Sequence, residues 1–427
     1  MPNEVRPLRW PDDRAALVDH FCRAHGPSDG ELIGAWYGTF PGFDPDGSFV
    51  IDGDDGEIAA HATIIPRQLR IGASLLPAGE LTLSADPDLP AQHGLLHALC
   101  EAAHARLTER GAALGLLIGF PDLGEKWQYE YAVGLYLTSF ESEIATEAML
   151  KAGRWDPAHS YERRTAERLR ARGQPVTVRR YHAGDLADVA ALYEAASARG
   201  HYLIARDEAL WEWQLDYLAR IGRNEPDDFL VAEVDGTVVA YARLITQGPV
   251  NWFRESDAAS FCVIEAAGDH ADGVEALMAA IAHTALTFGE ERIGLYIHPQ
   301  SALMQHALAR GGTLRAFTGA GLVRLHDLDE ALAQLYPTLE QRRLDSAFAT
   351  RAFRLQISTE SDQSEVVLGE GDAELVELEV PATVLVRLIT GWYGADHLDT
   401  GYHERHQPLL RVLFPAGDPK IALADLL

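Results

Sequence analysis

Residues 85–99, ADPDLPAQHGLLHAL, decide how this chain folds: a lone glycine, Gly94, stands where a polar, proline-broken loop gives way to an apolar helix. Upstream, AGELTLSAD (78–86) reads as a strand. Downstream, GLLHALCEAAHARLTERG (94–111) repeats apolar residues at helical spacing and closes on a glycine. AALGLLIGFP (112–121) then reads as a buried strand. Strand, helix and strand in that order predict a right-handed crossover onto a parallel neighbour. A glycine at such a helix start either leaves bare amides for an anion or only caps the helix.

Outward from this unit, DDRAALVDHFCRAHG (12–26) predicts a helix and GAWYGTFPGF (34–43) an aromatic loop. SFVIDGDDGEIAAHATIIPRQLRI (48–71) predicts a hairpin around a turn that tolerates positive φ. A similar order returns later. Residues 176–200 read as strand then helix, 227–245 as a hairpin, 259–268 as a strand, and 273–317 as helix, strand, helix, strand, so the chain reads as two structural copies. The arginine-rich stretch between them (151–174) predicts a solvated helical linker. Past residue 336, FRLQIS, SEVVLGEGDAELVELEVP and PLLRVLFP predict strands around the helix PATVLVRLITGWYG, a smaller α+β domain.

The 427 residues suit three domains of ordinary size, and 47% apolar with 23% charged residues is a globular composition. A formal charge of -28 argues against nucleic acid or an anionic membrane as the main partner and favours neutral or cationic small molecules. No apolar run approaches the ~18 residues of a spanning helix, and the first residues lack a signal-peptide core, so a cytoplasmic protein is expected. Cys22, Cys100 and Cys262 have no zinc or disulfide spacing. His397, Asp399, His403 and His406 are metal-capable, but the stretch reads as a solvated loop, and no metal is expected.

Helix, hairpin, strand and a glycine-opened helix beside a further strand resemble the GCN5-related N-acetyltransferase fold. Two such units followed by a small sterol-carrier-like domain resemble the Eis-type acetyltransferases. The resemblance rests on GELTLSADPDLPAQHGLLHALCEAAHARLTERG (79–111), KWQYEYAVGLYLTSF (126–140) and LLRVLFPAGDPKIALADLL (409–427). It implies a mixed α+β fold with a CoA-binding N-terminal unit (1–150), a second unit (175–330) and a sterol-carrier-like domain (336–427).

It further implies transfer of an acetyl or other acyl group from acetyl-CoA to a small-molecule amine, in a homo-oligomer. Leu83 and Ala85 would face the pantetheine arm, and Gln92, His93, Gly94, Leu95 and Leu96 the pyrophosphate. Tyr129, in preference to Tyr131, would be the acid that protonates the leaving thiolate, and the terminal carboxylate of Leu427 the base. Trp36, Tyr37, Glu80, Ser84 and Asp122 stand where the amine would be met; Trp36 and Tyr37 read more readily as core. The loop departs from the family pattern. Ala91, Gln92 and His93 replace its usual basic residue, Asp86 and Asp88 precede them, and Pro90 lengthens it by one residue. A scaffold that has lost CoA and transforms or sequesters a small molecule therefore stays open. The second copy's equivalent, EAAGDHADGVEAL (265–277), is acidic and reads as structural.

Overall fold

A computed structural model describes residues 4–53, 56–86, 92–118, 125–141, 165, 167–170, 173, 176–220, 228–246, 261–290, 292–398, 405–422 and 425. Along the chain, β1 (Val5–Pro7), α1 (Arg14–His25) and α2 (Pro27–Trp36) precede β2 (Ser48–Asp52), β3 (Ile58–Ile71), β4 (Ser74–Ala85), α3 (Gln92–Glu109), β5 (Leu114–Ile118) and β6 (Glu130–Glu141). Next come β7 (Val176–Arg180), α4 (Leu186–Ala198), α5 (Glu208–Arg220), β8 (Phe229–Val234), β9 (Thr237–Ile245), β10 (Phe261–Ala267), α6 (Ala271–Thr287), β11 (Arg292–Leu295) and α7 (Ala302–Leu308). The chain ends with β12 (Thr313–Leu325), α8 (Leu328–Leu344), β13 (Phe353–Ser358), β14 (Gln363–Leu368), β15 (Glu374–Glu379), α9 (Ala382–Thr390) and α10 (Gln407–Leu413).

Two compact units form, one from residues 1–133 and 319–417, the other from residues 134–318 and 418–427. In the first, β1 to β4 are antiparallel neighbours, β5 lies parallel to β4, and residues 321–325 of β12 close the row antiparallel to β5. In the second, β7 to β10 are antiparallel neighbours, β11 lies parallel to β10, and residues 138–141 of β6 close the row antiparallel to β11. The two copies expected from the sequence thus share one strand order. Each is completed by a strand that the chain supplies from the other copy's end.

α3 buries Leu95, Leu96, Leu99, Cys100, Ala103 and Leu107 against Leu81, Leu83 and Leu117 of the first sheet. On the opposite face lie α1 and α2, with Leu17, Phe21 and Tyr37 against Val50 and Ile58. β13 pairs antiparallel with β14 and parallel with β15. α8 ties this small sheet's layer to the β3–β4 turn: Ser74 N donates to Thr338 Oγ1 at 3.0 Å, and Thr338 Oγ1 donates to Ile71 O at 2.5 Å. Gly72 makes that turn at φ 59°, and a Cβ there would meet Thr338 Cγ2 at 2.9 Å, so both backbone angle and space require glycine. PLLRVLFP, expected as a strand, is instead helix α10: Pro408 fits the first helical turn, and Leu409, Leu410 and Leu413 are buried at helical spacing.

In the second unit Asp425 is held by a buried ionic cluster. Arg206 donates to Asp425 Oδ1 at 2.8 Å and to Glu265 Oε2 at 2.5 Å, with all three side chains fully buried. Gln214 Nε2 donates to Asp425 at 2.7 Å and Tyr241 to Glu265 at 2.9 Å. The Arg206 guanidinium lies over Tyr193 and Trp211, at 4.1 and 4.4 Å. Two carboxylates facing Arg206 and Arg243 leave the cluster balanced, as burial of charge demands.

Candidate active site at the β4–β5 opening

Among the described residues, parallel pairing of β4 with β5 runs from Ala78–Leu114 to Leu81–Leu117, and β4 continues to Ala85 on its other neighbour, β3. Asp86 N donates to Ala59 O at 3.0 Å, so the main-chain groups of Asp86 face β3. Main-chain groups alternate direction along a strand. Those of Leu83 and Ala85 therefore turn the other way, to the β5 side of the strand. Side chains alternate as well: Leu83 and Ala85 pack toward α3, whereas Ser84 points to α1.

Behind the opening, α3 presents its first turn. Leu95 and Leu96 are buried in the α3 core, while Gly94 is exposed and a Cβ on it would meet nothing within 4 Å. No acidic residue lies in this first turn. The first amides of an 18-residue helix have no intrahelical partner and carry the positive end of its dipole. A CoA diphosphate fits two of these features, the open space over Gly94 and the amides of the first turn. Gln92 and His93 begin the helix; residues 87–91, with Asp88 and Pro90, lie outside the described residues.

The sequence has no Lys or Arg between Arg70 and Arg106. The fold brings one from α1: Arg23 lies 3.4 Å from Asp86 and 2.8 Å from Glu57, and donates to Ile58 O at 2.9 Å. Asp86, which in the sequence stands as an unopposed charge beside the loop, is paired.

Of the residues expected at the amine, Glu80 accepts from Arg67 at 2.7 Å, both nearly buried. Tyr37 is buried, donates to Ser48 Oγ at 2.7 Å and lies 2.8 Å from His61 Nε2; burial pushes its hydroxyl up to about 12. Ser84 Oγ lies 2.7 Å from His20 Nε2. Trp36 closes α2, and nothing of its side chain is described; Asp122 and Leu427 lie outside the described residues.

Tyr129 is buried on the α3 face, and its hydroxyl and His326 would both crowd a Cβ on Gly115. Gly115 precedes Leu117, the last paired residue of β5 among the described residues, by two residues, about 7 Å along the strand. Arg324 Nη1 lies 2.7 Å from His104 Nδ1, which therefore accepts, leaving His104 Nε2 to donate to Tyr129 Oη at 3.2 Å. Burial raises the Tyr129 hydroxyl and pulls His104 down to about 3 and His326 to about 4. Tyr131, two residues on, is half-buried at the edge of the same core, and its carbonyl accepts from Arg387 at 3.2 Å. The structure thus places Leu83 and Ala85 on the α3 face of β4 and Ser84 on its α1 face, and buries the Tyr129 hydroxyl beside His104.

His20 was not singled out in the sequence, although a histidine on the same buried face of α1 as Leu17 and Phe21 is a polar residue in an apolar stripe. His397 stacks on Tyr393, with ring centroids 5.1 Å apart, and its Nδ1 lies 3.3 Å from Gly394 O. Among the described residues no three potential metal ligands gather, and no helix is long and apolar enough to cross a membrane.

No protein-family model and no curated protein matches the chain. Solved structures do. A GCN5-related N-acetyltransferase from Anabaena variabilis is similar at 13% identity and a TM-score of 0.66, over 98% of this chain and 99% of its own. One from Kribbella flavida gives 15%, 0.65, 98% and 99% in the same order. Eis1 from Mycobacterium abscessus gives 16%, 0.59, 98% and 98%. The chain has the fold of these proteins over nearly its whole length.

Proposed function

We propose that this chain is an Eis-like, acyl-CoA-dependent N-acyltransferase that moves an acetyl or other acyl group to the amine of a small cationic molecule, of the aminoglycoside type. One observation supports the reading: the first turn of α3 carries no acidic residue and leaves open space over Gly94, next after a β4 strand whose Leu83 and Ala85 main-chain groups face away from β3. Bound acyl-CoA would supply the activated thioester. Amides of Gly94, Leu95 and Leu96, flanked by Gln92 and His93, hold the diphosphate, and Leu83 and Ala85 hold the pantetheine amides. Of the two tyrosines, Tyr131 is the better placed acid, because the Tyr129 hydroxyl is buried against His104. The terminal carboxylate of Leu427 is the proposed base, and Trp36, Tyr37, Glu80 and Asp122 border the amine. A net charge of -28 favours capture of a cationic acceptor. A cytoplasmic homo-oligomer is the setting we assign.

A thiol-release assay with acetyl-CoA tests this: polyamines should draw free thiol from the coenzyme, and a neutral polyol of similar size should not. If no amine draws thiol, the transferase reading fails. The absence of Lys and Arg from 71 to 105 favours one rival, a scaffold that binds amines without CoA. That rival predicts heat on titration with the polyamine and none with CoA.

A further inference from the structure

Side chains hold both main-chain polar groups of Tyr131. Its N–H donates to Glu130 Oε1 at 3.0 Å, and its carbonyl accepts from Arg387 Nε at 3.2 Å. Arg387 also donates through Nη2 to the same Glu130 Oε1. One carboxylate oxygen and one edge of a planar guanidinium thus close a ring of hydrogen bonds on this residue.

Arg387 is itself held where it stands. It lies in the last turn of α9, and its guanidinium is over the Tyr393 ring at 4.7 Å. Tyr393 N donates back to Arg387 O at 3.1 Å, and the Tyr393 ring stacks on His397. Glu130 and Arg387 are both half-buried, so water competes less for their contact. The turn into β6 gains from such a hold. Gln128 is at φ 59°, a left-handed conformation that disfavours any residue with a side chain, and Glu130 and Tyr131 follow directly on it. On a strand the side chains of Glu130 and Tyr131 point to opposite faces. Fixing the Glu130 carboxylate and the Tyr131 main chain together therefore fixes the rotation of the strand about its own axis, and with it the direction of the phenol.

We infer that Arg387 is a positioning residue for acyl transfer: with Glu130 it locks the main chain of Tyr131, so that α9, from the C-terminal part of the chain, sets where the acid stands. The inference rests on the reading of Tyr131 as the acid. In the transfer the amine nitrogen bonds to the thioester carbonyl carbon and the C–S bond breaks. The phenol proton goes to the sulfur, the base takes the amine proton, and both groups reset through water; the balance is thioester plus amine to amide plus thiol. Arg387 acts through Tyr131 alone. Its loss frees the phenol to swing, which slows the step without weakening the coenzyme.

Thiol release from acetyl-CoA with spermidine as acceptor is followed for the full chain, for Tyr131→Phe, Arg387→Ala and Arg387→Lys, and for Tyr131→Phe combined with Arg387→Ala. Tyr131→Phe should lower kcat about a hundredfold. Arg387→Ala should lower it about tenfold, with KM for acetyl-CoA unchanged within about twofold. Arg387→Lys should recover only part, since an ammonium keeps the charge but not the two-donor edge. In the double variant the second loss should vanish, leaving the rate of Tyr131→Phe. A packing role gives the product of the two losses instead; that result, or a KM that rises with kcat unchanged, overturns the inference alone. Circular dichroism melting checks each fold, and Glu130→Gln, which keeps an oxygen for Tyr131 N, carries the same cycle if Arg387→Ala does not fold. Tyr131→Phe at the parental rate overturns the acid assignment and the inference with it, and no thiol release from the parent overturns the transferase reading beneath both.

Discussion

Arg23 sets the charge at the mouth of the opening. It spans Asp86 and Glu57 from α1, so two carboxylates share one guanidinium. Replacing Arg23 with Gln frees Asp86 to repel a diphosphate, at a cost of about 1 kcal/mol at intermediate dielectric. CoA affinity measured by calorimetry should fall about fivefold at low salt and recover as salt screens the charge; a loss unchanged by salt would mean that Arg23 acts through packing. Buried imidazoles give a second prediction. His20 is held down at about 4, and His61, fully buried, lies well below its ordinary range. Unfolding raises both toward 6.5, so their contribution to stability is present above pH 6.5 and fades as pH falls, the unfolded chain taking up protons that the folded one refuses. At pH 5 the loss is about 2 kcal/mol for His20 alone. Urea midpoints should drop between pH 7.5 and 5; equal midpoints would show that water reaches these rings. At this scale the sequence reveals residue types but not partners. Glu80 and Ser84 read as candidates for an amine, whereas Arg67 and His20, which meet them, sit 13 and 64 positions away.

The start of α3 carries the proposed coenzyme site, and one substitution separates its stability from its binding. Gly94 has no steric neighbour for a Cβ and lies in the first turn, where a carboxylate favours the helix. Gly94→Asp should therefore stabilise the protein slightly, by about 0.5–1 kcal/mol in thermal or urea unfolding. It should also weaken CoA about tenfold by opposing the diphosphate. A variant that binds CoA as tightly as the parent would move the phosphates elsewhere. Elements of this length are legible: AGELTLSAD, the α3 repeat and LGLLI (114–118) appear where their periodicity puts them, and the crossover is parallel. The short run PLLRVLFP is not, because four to eight apolar residues fit either period; burial of Leu409, Leu410 and Leu413 on one side selects the helix.

Across the whole chain the same strand order occurs twice, and each unit closes with a strand drawn from the other copy in sequence. Periodicity can show that β6 and β12 are strands; it says nothing of which edge they join, since an edge is chosen by the completed sheet. Asp425 is likewise placed by residues dispersed in sequence, Arg206 and Gln214, with Glu265 on the same arginine. Asp425→Ala leaves a buried guanidinium short of a counter-charge, and unfolding in urea should show a loss of about 3–5 kcal/mol; a loss under about 1 kcal/mol would mean that the pair is solvated. The central claim is that main-chain groups of β4 and α3, with no adjacent Lys or Arg, hold a CoA diphosphate. Calorimetric titration of the full chain with CoA at moderate salt tests it most directly. A saturable heat with a sub-millimolar Kd, weakened in Gly94→Asp, is the predicted result, and no heat up to millimolar CoA contradicts it.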